Sequence, residues 1–206
     1  MKYYNNYDLF SGEVTHKAPV QKPEILTVFH RSNDLPHMKR ADFSLEHADA
    51  ENSIFGAALY FSSSNAISKQ LGEHMGEFTI ELTYPSLNMN DQLTVTQAQN
   101  LWNSFLQKTG LKVSYSERGE SYDEYDFDDY GAVEFGNFFL ELQNKVPNSN
   151  VHFKDFIQGL GFKSFFHYQD FGTNFVEEET DCGYCYGIYD SSSIKYVGSV
   201  WAGEER

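Results

Sequence analysis

Two cysteines in 206 residues, Cys182 and Cys185, are too few for a disulfide framework. Positive charge is also scarce: 15 Lys and Arg stand against 30 Asp and Glu, a formal charge of −15. Affinity for nucleic acid comes mostly from Lys and Arg neutralising phosphates, so no direct DNA binding is expected, and no attraction to an anionic membrane surface. Long hydrophobic runs are missing. The longest nearly apolar stretch, Ile54 to Phe61, is far short of a membrane span. The opening residues MKYYNNYDLF carry no apolar segment of signal-peptide type. A cytoplasmic protein without a membrane partner is the expectation. There is no Gly-rich phosphate loop of Walker or dinucleotide type and no Gly-x-Ser-x-Gly elbow, so those two enzyme classes are set aside.

Aromatic side chains are abundant: 18 Phe, 14 Tyr and 2 Trp. Disordered chains are poor in them, so a folded domain with a real core is expected despite the charge. Residues 1–24 read as an N-terminal extension and 25–206 as one domain, with an acidic insertion at about 114–130. Ile25–Phe29 and Ala57–Phe61 are short apolar runs of strand type, and Arg31 to Asn52 reads as loop. Asn65–Leu71 reads as a short helix. Glu77–Tyr84 alternates polar and apolar residues, the pattern of a half-buried strand. Thr94–Lys108 places apolar residues at spacings of three and four, with Gly110 as a C-cap, and is an amphipathic helix. Ala132–Leu142 and Phe153–Leu160 are helical in pattern. Phe162–Tyr168, Tyr184–Asp190 and Ile194–Val197 read as strands. The class is α+β.

Three segments carry candidate chemistry. They are Val28-Phe29-His30-Arg31-Ser32, then Gly56 to Ser62 with Ala66 after it, then Gly159 to Ser164 followed by Tyr186 to Asp190 and Ile194. In this order they resemble the ADP-ribosyltransferase superfamily, in the branch with a histidine and a tyrosine in its first two motifs. That branch holds the diphtheria-toxin and poly-ADP-ribose polymerase catalytic domains and small phage and bacterial effectors. The resemblance covers about residues 25–198. It implies split antiparallel β-sheets around an NAD cleft with flanking helices, and NAD as the substrate. It further implies that His30 bonds a ribose hydroxyl and that backbone groups of Arg31 hold the nicotinamide carboxamide. Ser32 or Ser62 would assist, and Tyr60 would pack on the nicotinamide ring. The chemistry suits these roles. A neutral imidazole orients a hydroxyl without adding charge, and a tyrosine face stabilises a pyridinium. Cleaving the glycosidic bond develops an oxocarbenium that a carboxylate stabilises.

The departures from the family pattern are specific. Arg31 replaces the glycine after the histidine, Ser68 stands where a second aromatic is usual, and Cys185 occupies the position of the catalytic glutamate. A thiol cannot replace a carboxylate there. The acids left as candidates are Asp170, then Glu179 and Glu177. Each feature also has a plain reading: His30 as a rim histidine, Tyr60 as core packing, the serines as an N-cap cluster. Cys182-Gly183-Tyr184-Cys185 is a lone Cys-x-x-C, expected as two loop thiols. No metal is expected, since no second pair completes a four-ligand zinc set, though His152 or His167 could contribute. Residues 117–129 hold seven acids: Glu117, Glu120, Asp123, Glu124, Asp126, Asp128 and Asp129. They read as a solvated loop or as a docking surface for a basic, nucleic-acid-binding protein. The function expected is mono-ADP-ribosylation of a protein target by a phage or bacterial effector. The alternatives are a catalytically inactive, acidic binding protein of the same fold and, third, an NAD glycohydrolase.

Overall fold

The helix between Val95 and Thr109 (α1) shows how closely the sequence dictates local structure. Its cap Thr94 accepts the Gln97 N–H at 3.3 Å, and the Gln97 side chain accepts the Thr94 N–H at 2.9 Å. Gly110, left-handed at φ 69°, ends the helix, and its N–H donates to the Leu106 carbonyl at 2.9 Å. Ala98, Leu101, Trp102 and Phe105 form the buried stripe. In this computed structural model the described residues are 24–34, 36, 53, 55–65, 72–82, 85–114, 132–168 and 183–200. The N-terminal extension before Glu24, the helix expected from Asn65 and the acidic residues 117–129 lie outside them.

The strands are β1 (Glu24–Ser32), β2 (Leu59–Ser62), β3 (His74–Leu82), β4 (Ser86–Asn88), β5 (Gln92–Thr94), β6 (Ala132–Glu134), β7 (Ser164–Tyr168), β8 (Tyr184–Ile188) and β9 (Ile194–Val200). Two further helices are α2 (Phe135–Lys145) and α3 (Phe153–Gly159). Seven strands form one sheet in the order β4-β7-β8-β2-β1-β3-β9, and β5 pairs with β6 as a separate ribbon. Among the described strands, only β4 and β7 pair in parallel. The class is α+β, as expected, but the expectation of two antiparallel sheets is corrected to one large, mostly antiparallel sheet.

Among the boundaries that differ from the sequence reading, two move through a non-local partner and one through a local cap. Ala132–Glu134 is strand rather than helix, because Val133 pairs with Leu93 and both are buried. The helix then starts at Phe135, and its first donors are met from outside: Phe135 N–H to the Asp91 carbonyl at 3.1 Å and Gly136 N–H to that of Met89 at 2.8 Å. Arg31 and Ser32, expected in a loop, extend β1 because Met75 and His74 extend β3 opposite them. Asp190 leaves β8 and caps the turn Ser191–Ser193, accepting the Ser192 N–H at 2.9 Å.

Strand alternation sorts the core into two faces. One face, with Phe165, Tyr189 and Phe55, is covered by α1, α2 and α3. The other, with Val28, Phe61, Phe78, Ile80, Phe166 and Tyr186, draws on both halves of the sheet. Gly187 explains how the first face packs. It lies between Tyr60 on β2 and Phe165 on β7, and the Phe165 ring occupies the space a Cβ would need.

Candidate functional site at the β1–β2 split

β1 pairs with β3 over nine consecutive residues, from Glu24↔Leu82 to Ser32↔His74. With β2 it shares a single registered pair, Phe29↔Ser62. Just beyond that pair stands His30. Its Nδ1 lies 2.7 Å from the Tyr60 carbonyl oxygen. A carbonyl only accepts, so Nδ1 carries the hydrogen, and in the neutral ring Nε2 holds the lone pair. The side chain thus takes the place of a ladder bond where β1 and β2 part. The imidazole packs against Phe61 at 5.6 Å and edge-on to Phe78 at 6.3 Å between centroids. These contacts put it on the face shared by both halves of the sheet.

The other expected contacts divide between the two faces. Ser32 shares the His30 face by alternation, and its Oγ accepts the Asp34 N–H at 3.0 Å. Tyr60 and Ser62 belong to the helix-covered face. The Tyr60 hydroxyl donates to the Gly56 carbonyl at 2.9 Å and accepts the Phe55 N–H at 3.2 Å, which locks the turn before β2. Burial first, and then Cys185 nearby, raises the phenol far above tyrosine's usual pKa. Its ring stands 5.7 Å from that of Phe165. The hydroxyl is thus committed to the turn, and the ring lies on the face opposite His30. The Ser62 Oγ accepts the Ser64 N–H at 3.0 Å, and Ser63 Oγ accepts the Tyr184 N–H at 2.8 Å, so the serines tie the end of β2 to β8. The Arg31 side chain is buried and donates to the Gly72 carbonyl at 3.1 Å. Gly72 has φ 153°, and a Cβ there would come within 2.5 Å of the Ser32 backbone.

The late strand β8 joins the same seam, pairing with β2 through Ser62↔Cys185. Cys185 is not a loop thiol: it sits within β8, 4% exposed, and burial pushes its pKa up to about 12. A neutral, buried thiol supplies no negative charge to a developing cation. On the neighbouring strand β7, Cys185 is paired with His167, which is 1% exposed and whose pKa burial lowers despite its bond to the Tyr168 carbonyl. Asp170, Glu177, Glu179 and Cys182 lie outside the described residues. Among the described residues no group of three or more His, Cys, Asp or Glu side chains is placed to hold a metal. Among them, too, no helix is long and apolar enough to cross a membrane.

No family model, curated protein or solved structure matches this chain. The chemistry at the seam must therefore be read from its own residues. One of these was missed in the sequence: His74, opposite Ser32, fell before the strand expected from Glu77. His167 was placed in a strand and weighed only as a metal ligand. The signal available for His74 was the register of β1 on β3, which needs both strand ends to be known.

Proposed function

We propose that the protein is an NAD-dependent mono-ADP-ribosyltransferase acting on a protein target, with NAD bound at the split between β1 and β2. The observation that carries this reading is the His30 Nδ1 bond to the Tyr60 carbonyl at 2.7 Å, which links the first two motifs at the place where the β1–β2 ladder stops. With Nδ1 committed, Nε2 is the atom that accepts a ribose hydroxyl and holds the sugar for loss of nicotinamide. Asp170, Glu179 or Glu177 supplies the carboxylate that the oxocarbenium requires. Residues 117–129 carry the charge that selects a basic target. The test is transfer of label from NAD to a component of host lysate. His30→Ala should abolish it. Labelling by His30→Ala equal to wild type would sink the proposal.

A second reading is favoured by one observation: the position of the usual glutamate holds a buried, protonated thiol. Under it the fold is kept, catalysis is lost, and the protein is an acidic binder of a nucleic-acid-binding partner. Salt-sensitive capture of a basic partner without NAD turnover supports that reading. Nicotinamide release from NAD contradicts it, and release without any acceptor marks a glycohydrolase.

A further inference from the structure

We infer that Arg31 is a positioning residue for His30: its buried guanidinium clamps the end of β1 and so holds the imidazole on the Tyr60 carbonyl. The consequence for activity rests on the NAD reading above, and the clamp itself on strand geometry. His30, Arg31 and Ser32 are the last three residues of β1. On the β2 side the registered pairing ends one residue earlier, at Phe29↔Ser62. On the β3 side the three pair with Gly76, Met75 and His74. A strand end held from one side is where a sheet opens first. His30 needs the opposite. Its bond to the Tyr60 carbonyl at 2.7 Å crosses the side where the pairing has stopped, and it requires a fixed backbone beneath the ring.

Contacts to the chain just before β3 supply that fixity. Arg31 alternates to the face opposite His30, is 7% exposed, and donates from Nη1 to the Gly72 carbonyl at 3.1 Å. Gly72 packs directly on Ser32, where a Cβ would stand 2.5 Å from the Ser32 backbone N and C. Asn33 Oδ1 accepts the Glu73 N–H at 3.0 Å. The Asn33 bond is exposed and joins neutral groups, whereas the Arg31 bond is buried and its donor is charged. Charged donors make the stronger hydrogen bonds, and burial keeps water from competing for them. Arg31 is therefore the main fastening. It faces away from the His30 side, so it acts through the backbone of β1 and touches no ligand bound there. The resembled family carries glycine at this position. Glycine has no side chain to make such a bond, so the clamp belongs to this chain.

The test uses the full chain, with nitrogen–proton NMR of the histidine side chains and calorimetric titration with ADP-ribose. The variants are Arg31→Ala, Arg31→Lys, Asn33→Ala and, as a control at an exposed position of the same strand, Thr27→Ala. In wild type the His30 ring should show the Nδ1–H tautomer with a slowly exchanging proton. Arg31→Ala should lose that proton signal and weaken ADP-ribose binding about three- to tenfold at unchanged stoichiometry. Arg31→Lys keeps one cationic donor and should recover part of both. Asn33→Ala should disturb the same signal less, and Thr27→Ala should leave both readouts as they are. An arginine with a merely structural role would lower the number of competent molecules and leave their affinity and His30 tautomer as in wild type. That result overturns the inference. If Arg31→Ala fails to fold, Arg31→Lys and Asn33→Ala decide, and an unaltered His30 signal in both overturns it. If wild type binds neither NAD nor ADP-ribose, the NAD reading fails, and the His30 signal alone then supports or overturns the clamp.

Discussion

Strand β1 meets its two neighbours in opposite ways. On the β3 side the ladder runs unbroken for nine residue pairs. On the β2 side it is held by one pair, and then a histidine side chain bonds the next carbonyl. Buried backbone groups must find partners. A continuous ladder meets that need with the main chain alone and leaves the side chains to packing. A ladder that stops hands the task to side chains, here the His30 imidazole. The long seam makes the fold, and the short one makes the candidate site.

The largest effect should come from Phe78→Ala. Phe78 is fully buried and touches Phe61 at 5.2 Å across the split as well as His30. Its truncation should cost about 3–5 kcal/mol in denaturant unfolding. A cost under about 1 kcal/mol would mean that the two halves of the sheet do not share a core. His30→Ala comes next, at about 1–3 kcal/mol, because it strands the Tyr60 carbonyl. Thr27→Ala, exposed on the long seam, should stay within about 0.5 kcal/mol. Equal losses at these two positions would erase the contrast between the seams.

Acidity offers a third test, at the far strand of the same row. His167 is held neutral by burial, below its ordinary 6.5. The unfolded chain therefore takes up a proton first as pH falls. This contribution is fully present above about pH 6.5 and is lost as pH drops toward the folded-state value. Its slope is at most about 1.4 kcal/mol per pH unit. His167→Phe should flatten the slope between pH 7 and 5, and an unchanged slope would place its origin elsewhere. The smallest effects separate two buried tyrosines. Tyr60→Phe removes a hydroxyl with both partners and should cost about 1 kcal/mol. The buried Tyr189 hydroxyl has no hydrogen-bond partner among the described residues, so Tyr189→Phe should be neutral or slightly stabilising by thermal melting.

Much of the fold was legible wherever its cause is local. The capping box at Thr94, the glycine after Thr109 and the spacing of Ala98, Leu101, Trp102 and Phe105 all lie within one stretch of chain. The β6–α2 boundary was not legible, because Val133 becomes strand only by meeting Leu93, some forty residues away. The site divides in the same way. His30 was visible as a histidine at the end of an apolar strand, while Cys185, expected in a loop, is buried in β8. The assignment of Tyr60 and Ser62 to one face and His30 to the other was hidden, since it depends on the single pair Phe29↔Ser62. His74 was hidden for the same reason: only the β1–β3 register brings it beside Ser32.

The central claim is that the β1–β2 split is where NAD binds. The most direct measurement is a crystal structure of the protein soaked with NAD. It should show the nicotinamide ribose within hydrogen-bond distance of His30 Nε2, with a carboxylate of Asp170, Glu177 or Glu179 on the sugar. NAD bound away from His30, or no NAD at millimolar soaking concentrations, would contradict the account.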